Sequence, residues 1–139
     1  MGDVVRIEWN DGFTLGVEVL DQQHQQLAQR LGSLIDALSE AHGAQRVTEF
    51  LSFMERYVRS HLDTEDSLME RSRYPEAARH REEHRELETT LQSFRDRLAH
   101  RGPTSVLAME VHDRVCTWLF RHELDTDRRL AQFLRGHPA

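Results

Sequence analysis

Lysine is absent from this chain of 139 residues, and cysteine, proline and glycine are scarce. All 18 basic residues are therefore arginine, and they alternate with acidic residues, as is typical of solvated helix surfaces. The arginines form no basic block and do not interleave with aromatic residues, so nucleic-acid binding is not indicated. The single cysteine, Cys116, excludes an internal disulfide and gives no support to an oxidising compartment.

The sequence also lacks an apolar run near the roughly 20 residues that a membrane span needs. Its first residues show no apolar segment of the kind found in secretion signals. We therefore expect a cytoplasmic protein. Hydrophobic residues make up 38% and charged residues 30%, which is typical of a globular protein. The length predicts one domain over residues 1–139.

The few glycines and prolines lie where helices are expected to start or stop. Between them, apolar residues recur at steps of three and four, which predicts amphipathic helices with one apolar stripe each. We predict an all-α fold: an N-terminal arm over residues 1–19, then an antiparallel up-down four-helix bundle over about residues 20–135. The helices are expected at about 21–41, 44–72, 75–100 and from 105, with a short helical segment at 127–134.

Histidine, in contrast, is abundant, with nine residues. Positions i and i+4 of a helix lie about 40° apart on one face, so two histidine-containing pairs at this spacing point the same way. Both pairs lie on the apolar stripes that are expected to face the core. Potential metal ligands thus point inward on every helix: His24, His61 with Glu65, His80 with His84, and His122.

One buried histidine is usually a hydrogen-bonded core residue, and one histidine–glutamate pair usually lies at the surface. Burying this many polar groups without partners would cost several kcal/mol each, and a metal removes that cost. The nitrogen-rich ligand set favours iron, and the lack of a thiolate cluster argues against structural zinc. The remaining histidines lie off the stripes, at helix ends or in the tail and are not expected to bind metal: His42, His100, His112 and His137.

Asp127 follows His122 by five residues, which is about 140° on a regular helix. The two side chains can share a metal only if the helix loosens or ends between them, for instance at a π-bulge. Otherwise Asp127 is expected to cap the last helical segment, and the two roles need not exclude each other.

The complete pattern resembles the hemerythrins, especially the single-domain bacteriohemerythrins, and the resemblance covers nearly the whole chain. Its core is His24, His61-x3-Glu65, His80-x3-His84 and His122-x4-Asp127. Supporting matches are Trp9-Asn10, Asp21-Gln22-Gln23-His24, Tyr74-Pro75 and Trp118-Leu119.

The resemblance implies a non-haem di-iron centre with an oxo or hydroxo bridge. His80, His84 and His122 are expected to bind one iron and His24 and His61 the other, with Glu65 and Asp127 bridging both. This ligand set leaves one coordination position open, on the iron held by His24 and His61, and the family binds dioxygen there. We therefore expect a carrier, store or sensor of dioxygen or another small diatomic ligand.

Glu123 departs from the family pattern, because hemerythrins usually have an apolar residue directly after the last histidine. The resemblance makes Glu123, Trp118 and Leu62 the candidates for lining the oxygen pocket. If Glu123 faces the open position, it should favour autoxidation over reversible binding; the alternative is that it faces solvent or pairs with an arginine such as Arg121. The alternative function is that of a di-iron enzyme or redox protein, such as a peroxidase or a nitric oxide-handling catalyst, in which Glu123 modifies the open site. A purely structural metal site would have no open position.

Overall fold

The computed structural model describes residues 13–37 and 43–136, without the side chains of residues 119, 120, 123 and 124. Within these ranges the regular elements are helical and no strand occurs, which confirms the all-α prediction. A 3₁₀ turn at Gly43–Gln45 precedes α2, and a π-helical segment at Leu119–Thr126 joins α4 to α5. The α-helices are α1 (Glu18–Ala37), α2 (Arg46–Ser72), α3 (Ala77–Arg101), α4 (Ser105–Trp118) and α5 (Asp127–Gly136).

The first four helices form the predicted bundle. Helix α2 packs against α1 and α3, and α4 packs against the same two helices. Because consecutive helices run in opposite directions, the starts of α1 and α3 lie at the same end as the ends of α2 and α4. None of the described helices is long and apolar enough to cross a membrane.

The turn between α2 and α3 explains why α3 begins two residues later than predicted. Arg73 adopts the left-handed conformation (φ 57°) and its N–H donates to carbonyls at the end of α2. Tyr74 then accepts a hydrogen bond from the N–H of Ala77 (3.3 Å), and its hydroxyl donates to Glu76 (3.1 Å). Pro75 thus belongs to this turn and not to the first turn of α3. Before α4, Thr104 Oγ1 accepts the N–H of Leu107 and so caps the start of this helix.

The apolar core is divided into a large cluster and two small ones. The large cluster fills most of the bundle, and the small clusters lie at the end that α5 closes. Along α1, Leu20 belongs to a small cluster and Leu27 to the large one, with His24 between them. Along α2, Val58 belongs to the large cluster and Met69 to a small one. The buried polar residues therefore form a layer between two apolar regions.

The N-terminal arm is fixed where it is described. Leu15 is buried, its N–H donates to Asp21 (2.8 Å), and its carbonyl accepts a hydrogen bond from Arg135 (2.8 Å). Phe13 packs against the large cluster. Helix α1 follows at Glu18, three residues before its predicted start. Trp9 and the predicted turn at residues 10–12 lie outside the described residues.

Candidate metal centre

All seven predicted metal ligands lie in one buried cluster. Each is at most 1% exposed: His24, His61, Glu65, His80, His84, His122 and Asp127. Five of them offer ligand atoms within 4.8 Å of one another, namely His61, Glu65, His84, His122 and Asp127. The other two, His24 and His80, contact Asp127.

A π-helical segment brings Asp127 to the cluster. The N–H of Asp127 donates to the carbonyl of His122, five residues earlier, instead of the residue four earlier. The wider turn reduces the angle between the two side chains, and Oδ1 of Asp127 lies 3.1 Å from Nε2 of His122. The structure thus meets the condition that the five-residue spacing imposes, while Asp127 also begins α5.

The two carboxylate oxygens of Asp127 face different histidines. Oδ2 lies 3.1 Å from Nε2 of His24 and 3.4 Å from Nε2 of His61. Oδ1 lies 3.0 Å from Nε2 of His80 and 3.1 Å from Nε2 of His122. Asp127 therefore lies between a pair of histidines from α1 and α2 and a pair from α3 and the π-helical segment.

Glu65 contacts the cluster mainly through one oxygen. Its Oε1 lies 2.6 Å from Nε2 of His61, 3.0 Å from Nε2 of His84 and 3.2 Å from Nε2 of His80. Nε2 of His84 also lies 3.1 Å from Nε2 of His122. Two neutral ring nitrogens this close cannot both present lone pairs to each other, so a cation between such groups is favourable.

Several polar atoms of the cluster are close to one another but are not aligned for hydrogen bonds. Among the described residues, buried atoms without a hydrogen-bond partner include His61 Nε2, His80 Nε2, Glu65 Oε2 and Asp127 Oδ1. Buried polar atoms in folded proteins are rarely left in this state. A metal ion would satisfy them as ligands, and imidazole with carboxylate suits iron among other transition metals. The residues present therefore fit a metal site.

The opposite charges of the cluster change its protonation equilibria in the metal-free chain. Burial disfavours a charge on His61, but Glu65 and Asp127 outweigh it and raise the pKa of His61 to about 10. The same competition raises the pKa of His80 to about 9. Burial favours the neutral forms of Glu65 and Asp127, but the neighbouring histidines outweigh it and lower the pKa of both carboxyls well below the ordinary range. For His84 burial prevails, and its pKa is lowered. Protons thus compete with metal for these ligands.

Polar residues behind the ligands orient them. Nδ1–H of His61 donates to Oε1 of Gln23 (2.9 Å), and Nε2–H of Gln23 donates to Thr64 (3.0 Å). This bond fixes the His61 tautomer whose Nε2 carries a lone pair toward the cluster. On the opposite side, Thr126 donates to Oε1 of Glu83 (3.1 Å), whose Oε2 lies 3.5 Å from Nδ1 of His122.

These four orienting residues were not predicted from the sequence, although a simple signal marks them. Each of them directly precedes a predicted ligand: Gln23, Thr64, Glu83 and Thr126 stand before His24, Glu65, His84 and Asp127. One step along a helix is a rotation of about 100°. The side chain before a ligand therefore points sideways from that ligand, toward a neighbouring helix and the polar groups on it.

Two aromatic rings cover the cluster. Tyr57 stacks on His61 (5.4 Å between centroids, 9° between planes), and Trp118 stacks on His122 (4.5 Å, 16°). Trp118 also meets His61 edge-on, with centroids 6.1 Å apart. Leu62, another predicted pocket residue, is partly buried, packs against the large cluster and lines an open groove of about 590 Å³ between α2 and α3. The side chain of Glu123 lies outside the described part of the chain, so its predicted position stays a prediction.

Two further buried groups lie apart from the seven-residue cluster. Sγ of Cys116 lies 3.6 Å from Nε2 of His112, and both side chains are buried on α4. Burial raises the pKa of the Cys116 thiol to about 12, so this pair offers no thiolate at neutral pH. His100 is exposed and donates from Nδ1 to the carbonyl of Asp96. His42 and His137 lie outside the described residues.

Comparison with known proteins agrees with this geometry. The chain is 28% identical over 129 residues to a bacteriohemerythrin of Stenotrophomonas maltophilia (strain R551-3), covering 93% of this chain and 82% of the relative. It is 25% identical over 125 residues to bacteriohemerythrins of Pseudomonas aeruginosa (strain LESB58) and Pseudomonas paraeruginosa (strain DSM 24068 / PA7), covering 89% of this chain and 78% of each relative. Residues 15–134 match the model of the hemerythrin HHE cation binding domain, and the chain belongs to that family.

Proposed function

We propose that this protein holds two iron ions on its seven clustered side chains and binds dioxygen at one of them. The observation that carries the proposal is the position of Asp127, whose two oxygens face two different pairs of histidines. A carboxylate in that position is suited to bridging two metal ions. Two ferrous ions at this site would supply the two electrons that reversible dioxygen binding requires.

The proposed division of ligands follows the two sides of Asp127. His24 and His61 form one side, and His80 and His122 form the other, with His84 next to His122. Glu65 would be the second ligand shared by both ions, because its Oε1 lies within 3.2 Å of nitrogens from both sides. The side of His24 and His61 has one nitrogen fewer, and we assign the open coordination position to it.

Residues around the open coordination position exclude water from it and orient its ligands. Tyr57 and Trp118 place aromatic surface against His61, which keeps water and protons from the open position. Gln23 holds the His61 ring in the required tautomer. The ligands themselves are buried, so the proposed binding partner is a small diatomic molecule.

A second candidate, a di-iron enzyme or redox protein, is favoured by a specific feature of the sequence. Glu123 directly follows His122, where the resemblance to hemerythrins leads one to expect an apolar residue. An open groove of about 460 Å³ is lined by Trp118, Glu83 and His122 and brings solvent close to His122, which is itself buried. Water and acidic groups near bound oxygen favour its release as peroxide over its return as dioxygen.

The two functions are separated by the visible spectrum of the chain loaded anaerobically with ferrous iron and then exposed to oxygen. A spectral change that reverses when oxygen is removed supports reversible binding. A short-lived change followed by a stable oxidised spectrum supports the redox candidate. If oxygen causes no spectral change in the iron-loaded chain, both are wrong. Asp127→Asn, treated identically, is the matched control for iron bound elsewhere.

A further inference from the structure

His122 lies between two carboxylates. Its Nε2 lies 3.1 Å from Oδ1 of Asp127 inside the cluster, and its Nδ1 lies 3.5 Å from Oε2 of Glu83 outside it. Nδ1 of His122 and Oε2 of Glu83 are both buried atoms, and neither has a hydrogen-bond partner among the described residues. They are complementary as donor and acceptor, so a small rotation of the ring or the carboxylate forms the bond.

Glu83 is held in this position by the residue before Asp127. Thr126 is buried, and its hydroxyl donates to Oε1 of Glu83 (3.1 Å). Oε2 is thereby left to face His122. The arrangement connects the π-helical segment, which carries His122 and Thr126, to α3, which carries Glu83.

The corresponding position behind His61 has a different chemical character. There the acceptor for Nδ1–H is the neutral amide of Gln23, at 2.9 Å. A carboxylate acceptor draws the Nδ1 proton more strongly than an amide and increases the basicity of the opposite nitrogen. The two sides of the proposed centre therefore have outer partners of unequal charge.

Glu83 also reaches solvent, unlike the ligands. Its side chain is 31% exposed and lines the same open groove between α3 and α4 as His122. Glu86, Arg114 and Arg121 line this groove as well, so the charged environment of Glu83 includes groups of both signs. This partial exposure of the side chain lowers the cost of placing a charge beside a buried histidine, although Oε2 itself is buried.

We propose that Glu83 is a positioning residue of the metal centre that accepts the Nδ1 proton of His122. It fixes the tautomer that directs Nε2 of His122 into the cluster, and it makes His122 a stronger metal donor than His61. This inference rests on the proposed metal function, but it concerns donor strength and not the reaction with oxygen. Zinc, which is redox-inert and binds imidazole and carboxylate ligands, is therefore the appropriate probe.

The test compares zinc affinities of the wild-type chain and three variants by competition with a chelator. Loss of an outer-sphere partner typically costs 10–100-fold in metal affinity, and we expect a loss of about this size for Glu83→Ala. Glu83→Gln keeps an acceptor oxygen but removes the charge, so we expect a smaller loss. Glu86→Gln, at an exposed position of the same helix and groove, removes the same charge and should bind zinc as the wild type does.

Nuclear magnetic resonance of the zinc-loaded chains measures the exchange of the His122 Nδ1 proton, which a purely structural role of Glu83 would not affect. The Nδ1 proton of His122 should be protected from exchange in the wild type and in Glu86→Gln, and should exchange faster in Glu83→Ala. The inference is overturned if both Glu83 variants bind zinc as tightly as the wild type, or if Glu86→Gln loses as much affinity as they do. It is also overturned if the Nδ1 proton of His122 is unprotected in the wild type, or if the wild-type chain binds no zinc. If the zinc affinities are as expected but oxygen causes no spectral change in the iron-loaded chain, the inference about Glu83 is retained and the proposed function is wrong.

Discussion

Asp127 and His122 are five residues apart, and their side chains nevertheless meet, with Oδ1 of Asp127 3.1 Å from Nε2 of His122. The contact depends on a π-type backbone hydrogen bond from the N–H of Asp127 to the carbonyl of His122. The same local widening places Thr126 against Glu83. It also starts α5 at the position where that helix closes the end of the bundle. One irregular turn thus positions both a proposed bridging ligand and an outer-sphere contact.

Removing the charge of Asp127 should abolish stable binding of the metal pair. Asp127→Asn keeps the size of the side chain but leaves the histidines on both sides without their shared anion. We expect the affinity for iron to fall by more than the roughly 10–100-fold typical of outer-sphere changes. The measurement is iron content after anaerobic loading and dialysis. Asp125→Asn, at a 72% exposed position of the same segment, is the control and should retain full iron; wild-type iron content in Asp127→Asn would contradict the assignment.

The hydrogen bond from His61 to Gln23 should contribute to metal affinity. Gln23→Leu removes the acceptor for Nδ1–H of His61, so the ring loses the partner that fixes its tautomer. We expect metal affinity to fall about 10–100-fold, as measured by chelator competition. Gln22→Leu changes an exposed neighbour and should have no such effect. Equal affinities for the two variants would show that this hydrogen bond does not orient the ligand.

The metal-free chain should lose stability as the pH rises above neutrality. The pKa values of His61 and His80 are raised to about 10 and about 9, above the ordinary value of 6.5. Between pH 6.5 and these values the folded chain binds more protons than the unfolded chain, so the free energy of unfolding falls with rising pH. The urea midpoint of the metal-free chain should therefore be lower at pH 9 than at pH 7. The zinc-loaded chain, in which metal replaces these protons, should not show this decrease of the urea midpoint. A higher midpoint for the metal-free chain at pH 9 than at pH 7 would contradict the raised pKa values of His61 and His80.

Glu123 offers a test of how the open position is used. If its carboxylate faces that position, Glu123→Ile should slow autoxidation of the iron-loaded chain, because an apolar wall excludes protons from bound oxygen. Autoxidation is followed by the loss of the oxygenated spectrum with time. Asp125→Ile introduces the same apolar side chain at an exposed position and should leave the rate unchanged. An unchanged rate in Glu123→Ile would indicate that the side chain faces solvent.

The fold and the clustering of the predicted ligands could be predicted because the positions of these side chains follow periodic patterns. Apolar residues at steps of three and four predicted the helices, and His80 with His84 could be assigned to one face by the same geometry. The start of α3 was wrong by two residues, because hydrogen bonds of Tyr74 form a separate turn before the helix. Helix ends depend on such single contacts, which periodicity does not encode.

The backbone around Asp127 and the outer-sphere contacts were harder to predict. The five-residue spacing indicated that His122 and Asp127 can share a metal only if the helix loosens or ends between them, but it did not decide which. A π-type turn is stabilised by tertiary contacts, such as that between Thr126 and Glu83, and leaves no local periodic signal. Gln23 and Glu83 were missed because their partners lie on other helices, 38 or more residues away in sequence.

The decisive measurement for the proposed pair of oxygen-binding irons is the uptake of dioxygen per iron. The chain is loaded anaerobically with ferrous iron, its iron content is determined, and the oxygen taken up and then released under vacuum is measured with an oxygen electrode. We expect two irons per chain and one dioxygen per two irons, and we expect the dioxygen to be returned when oxygen is removed. One iron per chain, or two irons with no oxygen uptake, would contradict it.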